Sequence, residues 1–317
     1  MIALATPASA GSLQLEDGRF VDGVKMRREG DKILLLYENG PIEIPLDRVK
    51  SYVVDEGEAW EPKTDEERAK AAEGLVPFRD DWVTAEERDK KLERERKQRQ
   101  KALEEHKKHQ EWRNRYQFET KNFAFQSTLP PDINEQYADL LETYFAEFGK
   151  YWRVRVPKDW DRKLTVCFHR DRESFHKVGG VSGGVMAYYR FVPPRELHFY
   201  YNRKFPAETQ SAMFHEANHY LADLMGEHFQ YPHWIGEAMA EYYAASTWDP
   251  EKGRMTVGNI QTGRLLEVLQ DMDGGDTMTV EGLVSDETRN YAHYYWGWSF
   301  VHFLLESKDH KKNFIKY

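Results

Sequence analysis

Cysteine is nearly absent from this chain. Cys167 stands alone among 317 residues, which excludes an internal disulfide and any multi-cysteine zinc framework. Its setting, Leu164-Thr165-Val166-Cys167-Phe168, is that of an apolar strand, so the thiol reads as buried and structural rather than nucleophilic. Long apolar runs are missing too, and no stretch has the length that a membrane-spanning helix needs. Charge is not sorted by sign: 45 basic and 54 acidic side chains interleave to a net −9, so neither nucleic acid nor an anionic membrane surface is the implied partner.

What the chain does have is His215-Glu216-Ala217-Asn218-His219. On a helix, residues four apart share a face, so the two imidazoles converge on one point with the Glu216 carboxylate beside them. Two imidazoles and a general base are the core of a hydrolytic zinc site. The flanks from Gln210 to Met225 carry apolar residues at helical spacing, and Gly226 is placed to stop the helix. A catalytic zinc takes a third protein ligand and leaves the fourth position to water. After a turn at Phe229-Gln230-Tyr231-Pro232, a second helix is predicted over His233–Tyr243, with Glu237 near its start as the third ligand. His233 competes for that role but has no periodic relation to the histidine pair. Glu241, one turn past Glu237, either orients a ligand imidazole or is a solvated carboxylate.

With these residues in place the chain resembles the gluzincins, zinc metallopeptidases that pair HExxH with a downstream glutamate. Trp234-Ile235-Gly236-Glu237-Ala238-Met239-Ala240-Glu241-Tyr242 parallels the aminopeptidase N family around its third ligand. Tyr294-Tyr295-Trp296-Gly297-Trp298 is similar to that family's tyrosine helix, which implies that Tyr294 donates to the oxyanion, with Tyr295 and Tyr291 as substitutes. The family's strand ending in an amino-terminus-binding glutamate corresponds to Gly179–Tyr189, where no acid follows Met186. That departure argues for endopeptidase-like cleavage over release of N-terminal residues. Gly183, Gly184, Val185 and Met186 are the candidates for pairing with a substrate strand, and Arg195–Tyr201 is expected as an edge strand before the metal helix. From about Lys121 the wider pattern resembles uncharacterised gluzincin-like domains of bacterial proteins. Its cues are Phe123–Ser127, a helix over Ile133–Phe148, a strand over Lys163–His169 and a helix opening at Arg170.

The N-terminal part differs in kind. Residues 1–10 end in Pro7-Ala8-Ser9-Ala10, small residues that suit the end of a signal peptide, so export to the periplasm or beyond is favoured over the cytoplasm. Residues 11–58 alternate apolar and polar positions between turns at Glu16-Asp17-Gly18, Glu29-Gly30-Asp31 and Glu38-Asn39-Gly40. Four or five strands in a small closed barrel, resembling SH3-like modules, are expected there, with a protein partner as their business. Residues 59–118 are expected to form a charged helical linker opened by a capping box at Thr84-Ala85-Glu86-Glu87, with His106 and His109 exposed on it. Residues 119–317 form the expected catalytic domain. Asp271-Met272-Asp273-Gly274-Gly275-Asp276 lacks calcium-loop spacing and is expected as a turn between helices. The chain shows no terminator after the Tyr294 helix, so the natural protein is expected to continue.

The sequence therefore predicts an α+β protein with a zincin-like domain that hydrolyses peptide bonds. One Zn2+ would be held by His215, His219 and Glu237, with Glu216 as general base. Two other readings stay open: a metal-binding scaffold that catalyses nothing, and a zinc hydrolase of a non-peptide amide.

Overall fold

The structure is a computed structural model of the chain and describes residues 9–15, 20–37, 40–54, 62, 64–78, 81–154, 163–225, 231–250, 252–285 and 290–316. The fold is mixed α+β, and the chain divides into two compact units, Met1–Lys107 and Lys108–Tyr317. Residues 1–8, the turns at 16–18 and 38–39, the helix stop at Gly226, and Phe229-Gln230 of the expected turn lie outside the described residues.

In the first unit, β1 (Ser9–Leu15), β2 (Phe20–Glu29), β3 (Lys32–Tyr37), β4 (Gly40–Pro45) and β5 (Val49–Val54) pair antiparallel in the order β4-β3-β2-β1-β5. Period-two alternation sends Leu13, Leu15, Ile33 and Leu35 to one face, where with Met26 they form a small core. Gly30 turns the chain between β2 and β3 at φ +63°, a conformation that favours glycine. The expected closed barrel does not form: among the described residues the sheet is open, with β4 and β5 as its two ends. Pro41 and Pro45 within β4 lack the N–H that a second neighbour would need, which suits a terminal strand. Ser9 and Ala10 belong to β1 and pair with Met26 and Lys25.

The segment expected as a charged linker, with a long helix opening at Thr84 and running to Arg115, holds further elements, and its long helix ends at Lys108. It holds α1 (Asp65–Ala72), a hairpin of β6 (Leu75–Phe78) and β7 (Asp81–Thr84), and α2 (Ala85–Lys108). The capping box at the start of α2 is present, with Glu87 N donating to Thr84 Oγ1 at 3.2 Å and Thr84 N to Glu87 Oε2 at 3.1 Å. Lys90–Glu86 and Lys97–Glu93 pair one turn apart on its solvated surface. His109 lies beyond α2 and, instead of standing exposed on it, stacks on Tyr116 at 4.0 Å.

The second unit is built on β8 (Tyr116–Glu119), β9 (Phe123–Ser127), α3 (Pro131–Trp152), β10 (Leu164–His169), α4 (Arg172–Gly179), β11 (Ala187–Arg190) and β12 (Glu196–Tyr200). The strands run in the order β11-β12-β10-β9-β8, parallel in the middle and antiparallel at both ends. Since β8 is the first strand, this unit starts upstream of residue 119. The edge strand at this end is β11, whereas Glu196–Tyr200, expected at the edge, is an interior strand between β10 and β11. Its pattern agrees, because Leu197, His198, Phe199 and Tyr200 are all buried, as two covered faces require.

There follow α5 (Pro206–Asp223), α6 (His233–Ala244), a hairpin of β13 (Thr247–Asp249) and β14 (Arg254–Thr256), α7 (Thr262–Gly274), α8 (Val280–Ser285), α9 (Ala292–Glu306) and α10 (Lys311–Phe314). One sheet face, with Phe123, Phe125, Val166, Phe168, Leu197 and Phe199, joins α3 and α5 in the main core. The Asp271–Gly274 stretch, expected as a turn, is the last turn of α7, which Gly275 ends at φ +84°. Asp271 is held there by Tyr295 Oη and Trp296 Nε1, donating at 2.8 and 2.9 Å. No helix among the described residues is long and apolar enough to cross a membrane.

Candidate metal centre

α5 opens with Pro206, whose missing N–H costs nothing in a first helical turn. It then buries Met213, Phe214, Ala217, Tyr220 and Leu221 in the core. That face fixes the roll of the helix and turns His215, Glu216 and His219 to its half-buried flank. Within the motif, Asn218 is an anchor: its Nδ2 donates to the buried Tyr144 hydroxyl at 2.8 Å. α6 starts at His233 and packs against both α5 and α9, so Glu237 and Glu241, one turn apart, face the histidines.

One ligand atom each from His215, His219 and Glu237 lie within 4.8 Å of one another. Glu237 Oε2 is 3.2 Å from His215 Nε2 and 3.7 Å from His219 Nε2. Despite that proximity, this buried oxygen has no aligned hydrogen-bond donor. A buried, unsatisfied carboxylate oxygen facing two ring nitrogens is the signature expected where all three atoms are directed at a common cation. The residues present therefore fit a metal ion.

The surroundings orient these groups. His215 Nδ1 lies 3.3 Å from Glu241 Oε1, and Arg264 of α7 grips the same carboxylate from the other side, Nη2 to Oε1 at 2.8 Å and Nε to Oε2 at 3.0 Å. Burial opposes charge on His215, but Glu237 and Glu241 outweigh it and lift the imidazole pKa to about 10. Burial also tends to raise the Glu241 carboxyl, yet His215 and Arg264 bring it down to about 2. His219 falls to about 4 through burial and the neighbouring His215. Glu216 rises to about 7, chiefly by burial, while His215 and the Tyr189 backbone N–H pull the other way. That N–H, from edge strand β11, donates to Glu216 Oε2 at 2.9 Å.

The tyrosines separate by their partners. Tyr294 lies parallel to the His215 ring at 5.9 Å, and burial together with Glu237 raises its pKa. Tyr291 donates to Glu267 and accepts from Arg264, and Tyr295 donates to Asp271, so both alternatives are engaged elsewhere. His233 reaches Glu237 Oε1 at 3.4 Å, but its Nδ1 meets His293 Nδ1 at 2.9 Å, and it is not part of the three-ligand group. A cleft of about 820 Å³ lies over the site, its walls including Val185, Met186, His215, Glu216, Arg264 and Tyr294. Gly184 also lines it, whereas Gly183 does not; its carbonyl accepts from Arg172 instead, and these four residues precede β11 rather than form it.

Arg264 and the Tyr189 N–H were not visible in the sequence. Arg264 sits in a helix 23 residues beyond Glu241 with no motif around it. A backbone N–H has no side-chain signature.

Residues 209–317 match the family described as Protein of unknown function (DUF1570), a span that holds the HExxH motif, Glu237, Arg264 and Tyr294. No curated protein matches the chain.

Proposed function

We propose that the second unit is a zinc-dependent hydrolase of peptide bonds with a gluzincin-like, zincin-type catalytic centre. The observation that carries this reading is the meeting of His215, His219 and Glu237 beside the half-buried Glu216, with His215 and Glu216 lining an open cleft. Zn2+ held by these three residues would supply a water of lowered pKa and polarise the scissile carbonyl. Glu216 accepts the proton of the attacking water and returns it to the leaving nitrogen. A carboxyl raised to about 7 suits both duties near neutral pH. Tyr294 donates its hydroxyl to the carbonyl oxygen as negative charge develops there. Glu241, pinned by Arg264, accepts the Nδ1 proton of His215 and so leaves Nε2 facing the ligand group.

An open cleft bordered by edge strand β11 suits an extended chain cut internally, and peptide or protein is the substrate class. The N-terminal sheet would contact a protein partner. The test is metal analysis of the full chain with a mixed peptide library digested and read by mass spectrometry. Internal cuts that vanish on chelation and return with zinc support the proposal. A zinc-loaded protein that leaves every peptide intact contradicts it in favour of a scaffold or a non-peptide amide hydrolase.

A further inference from the structure

A second group of metal-ligating side chains lies on the opposite face of the same sheet. Cys167 of β10 is in register with His198 of β12, and Glu196 and His169, each two residues away along its strand, share that face. The adjoining residues Val166, Phe168, Leu197 and Phe199 point the other way, into the core. Cys167, His169 and His198 are 2 %, 0 % and 5 % exposed. One ligand atom each from Cys167, Glu196 and His198 lie within 4.8 Å of one another. His198 Nε2 is 2.9 Å from Glu196 Oε2, and its Nδ1 is 3.2 Å from His169 Nε2. Arg190 reaches Glu196 at 2.8 Å, and His169 Nδ1 is buried without a hydrogen-bond partner.

We propose that Cys167, His198 and Glu196, with His169 beside them, form a second, structural metal site for a zinc-class divalent cation. Thiol, imidazole and carboxylate are the donors that such ions select. His169 Nε2 faces His198 Nδ1, across the ring from the Nε2 that meets Glu196, so His169 orients the imidazole while Cys167, His198 and Glu196 are the ligands. Cys167 and His198 are covered, so substrate has no access to an ion held there, which fits a structural rather than a catalytic site. The same residue types could make a cysteine nucleophile. The thiol, however, is covered and lines no part of the cleft, whereas a ligand needs no access to substrate. An ion here would tie β10 to β12, the strand that carries edge strand β11.

The inference is independent of the hydrolytic reading and is tested apart from it. The full chain is loaded with Co2+ and its near-ultraviolet spectrum recorded, together with the His215→Ala, His219→Ala double variant. Because Cys167 is the only cysteine, any thiolate-to-cobalt charge-transfer band reports this site alone. The band should appear in both proteins and be lost in Cys167→Ser and in the packing-conserving Cys167→Val. Zinc content should be about two equivalents in the natural chain and about one in the double variant. If the cysteine variants do not fold, the spectrum of the natural chain decides by itself. Cobalt binding with no thiolate band, or a double variant that takes up no metal, overturns the site.

Discussion

Glu241 Oε1 lies 3.3 Å from His215 Nδ1, and Arg264 holds that carboxylate through two donated hydrogen bonds of 2.8 and 3.0 Å. The pair joins α5, α6 and α7 at the back of one ligand imidazole. Loss of such a partner lowers metal affinity by about 10- to 100-fold without removing a ligand. Glu241→Ala should show that loss in a zinc competition titration, and Glu241→Asp should restore part of it. Unchanged affinity in Glu241→Ala would make the contact incidental.

Tyr294 stacks on His215, while Tyr291 and Tyr295 are committed to other partners. Tyr294→Phe should therefore lower kcat by about 10²-fold with zinc content unchanged. Tyr291→Phe should leave turnover nearly intact. Equal losses in the two variants would reassign the oxyanion donor.

Helices α6 and α9 approach closely at Gly297, where an added Cβ would stand 2.9 Å from Ala238 Cβ and 3.3 Å from the Trp234 carbonyl oxygen. Alanine gains about 1 kcal/mol in helix propensity, but overpacking costs about 1–3 kcal/mol, and a contact under 3.0 Å lets the second effect win. Gly297→Ala should lower the melting temperature. A variant at least as stable as the parent would show that the helices have room to part.

Much of this arrangement was legible beforehand because it is local. The HExxH spacing, the 3.6-residue periodicity of α5, α6 and α9, and the capping box of α2 all act within a few residues. What was not legible depends on pairing at a distance. Alternation predicts strands but not whether β4 and β5 meet, so an open sheet and a closed barrel look alike in sequence. The edge was misplaced for the same reason, since the four-residue β11 carries little pattern of its own. Asp271 resembled a loop residue because its partners, Tyr295 and Trp296, lie on another helix.

Asp223, at the end of α5, titrates outside the metal group. Burial raises its carboxyl above its ordinary value, and the Tyr189 hydroxyl at 2.9 Å and Arg195 offset this only in part. A folded-state pKa above the unfolded one means that the folded protein binds the proton more tightly. The associated stability is complete below the unfolded value and is lost as pH rises through the raised one. Asp223→Asn removes the titration and keeps an oxygen to accept from Tyr189. The melting temperature of the variant minus that of the parent should grow as pH rises upward from the ordinary carboxylate range. A difference independent of pH would contradict the assignment.

Glu216 is the residue on which hydrolysis turns, and Glu216→Gln tests it with little change of shape. The variant keeps an oxygen to accept the Tyr189 N–H but cannot take a proton from water. The most direct measurement is zinc content and peptide cleavage in the same preparation of this variant. Full zinc content with cleavage reduced by at least about 10²-fold is the predicted result. Cleavage at the parental rate by zinc-loaded Glu216→Gln would contradict the proposed chemistry.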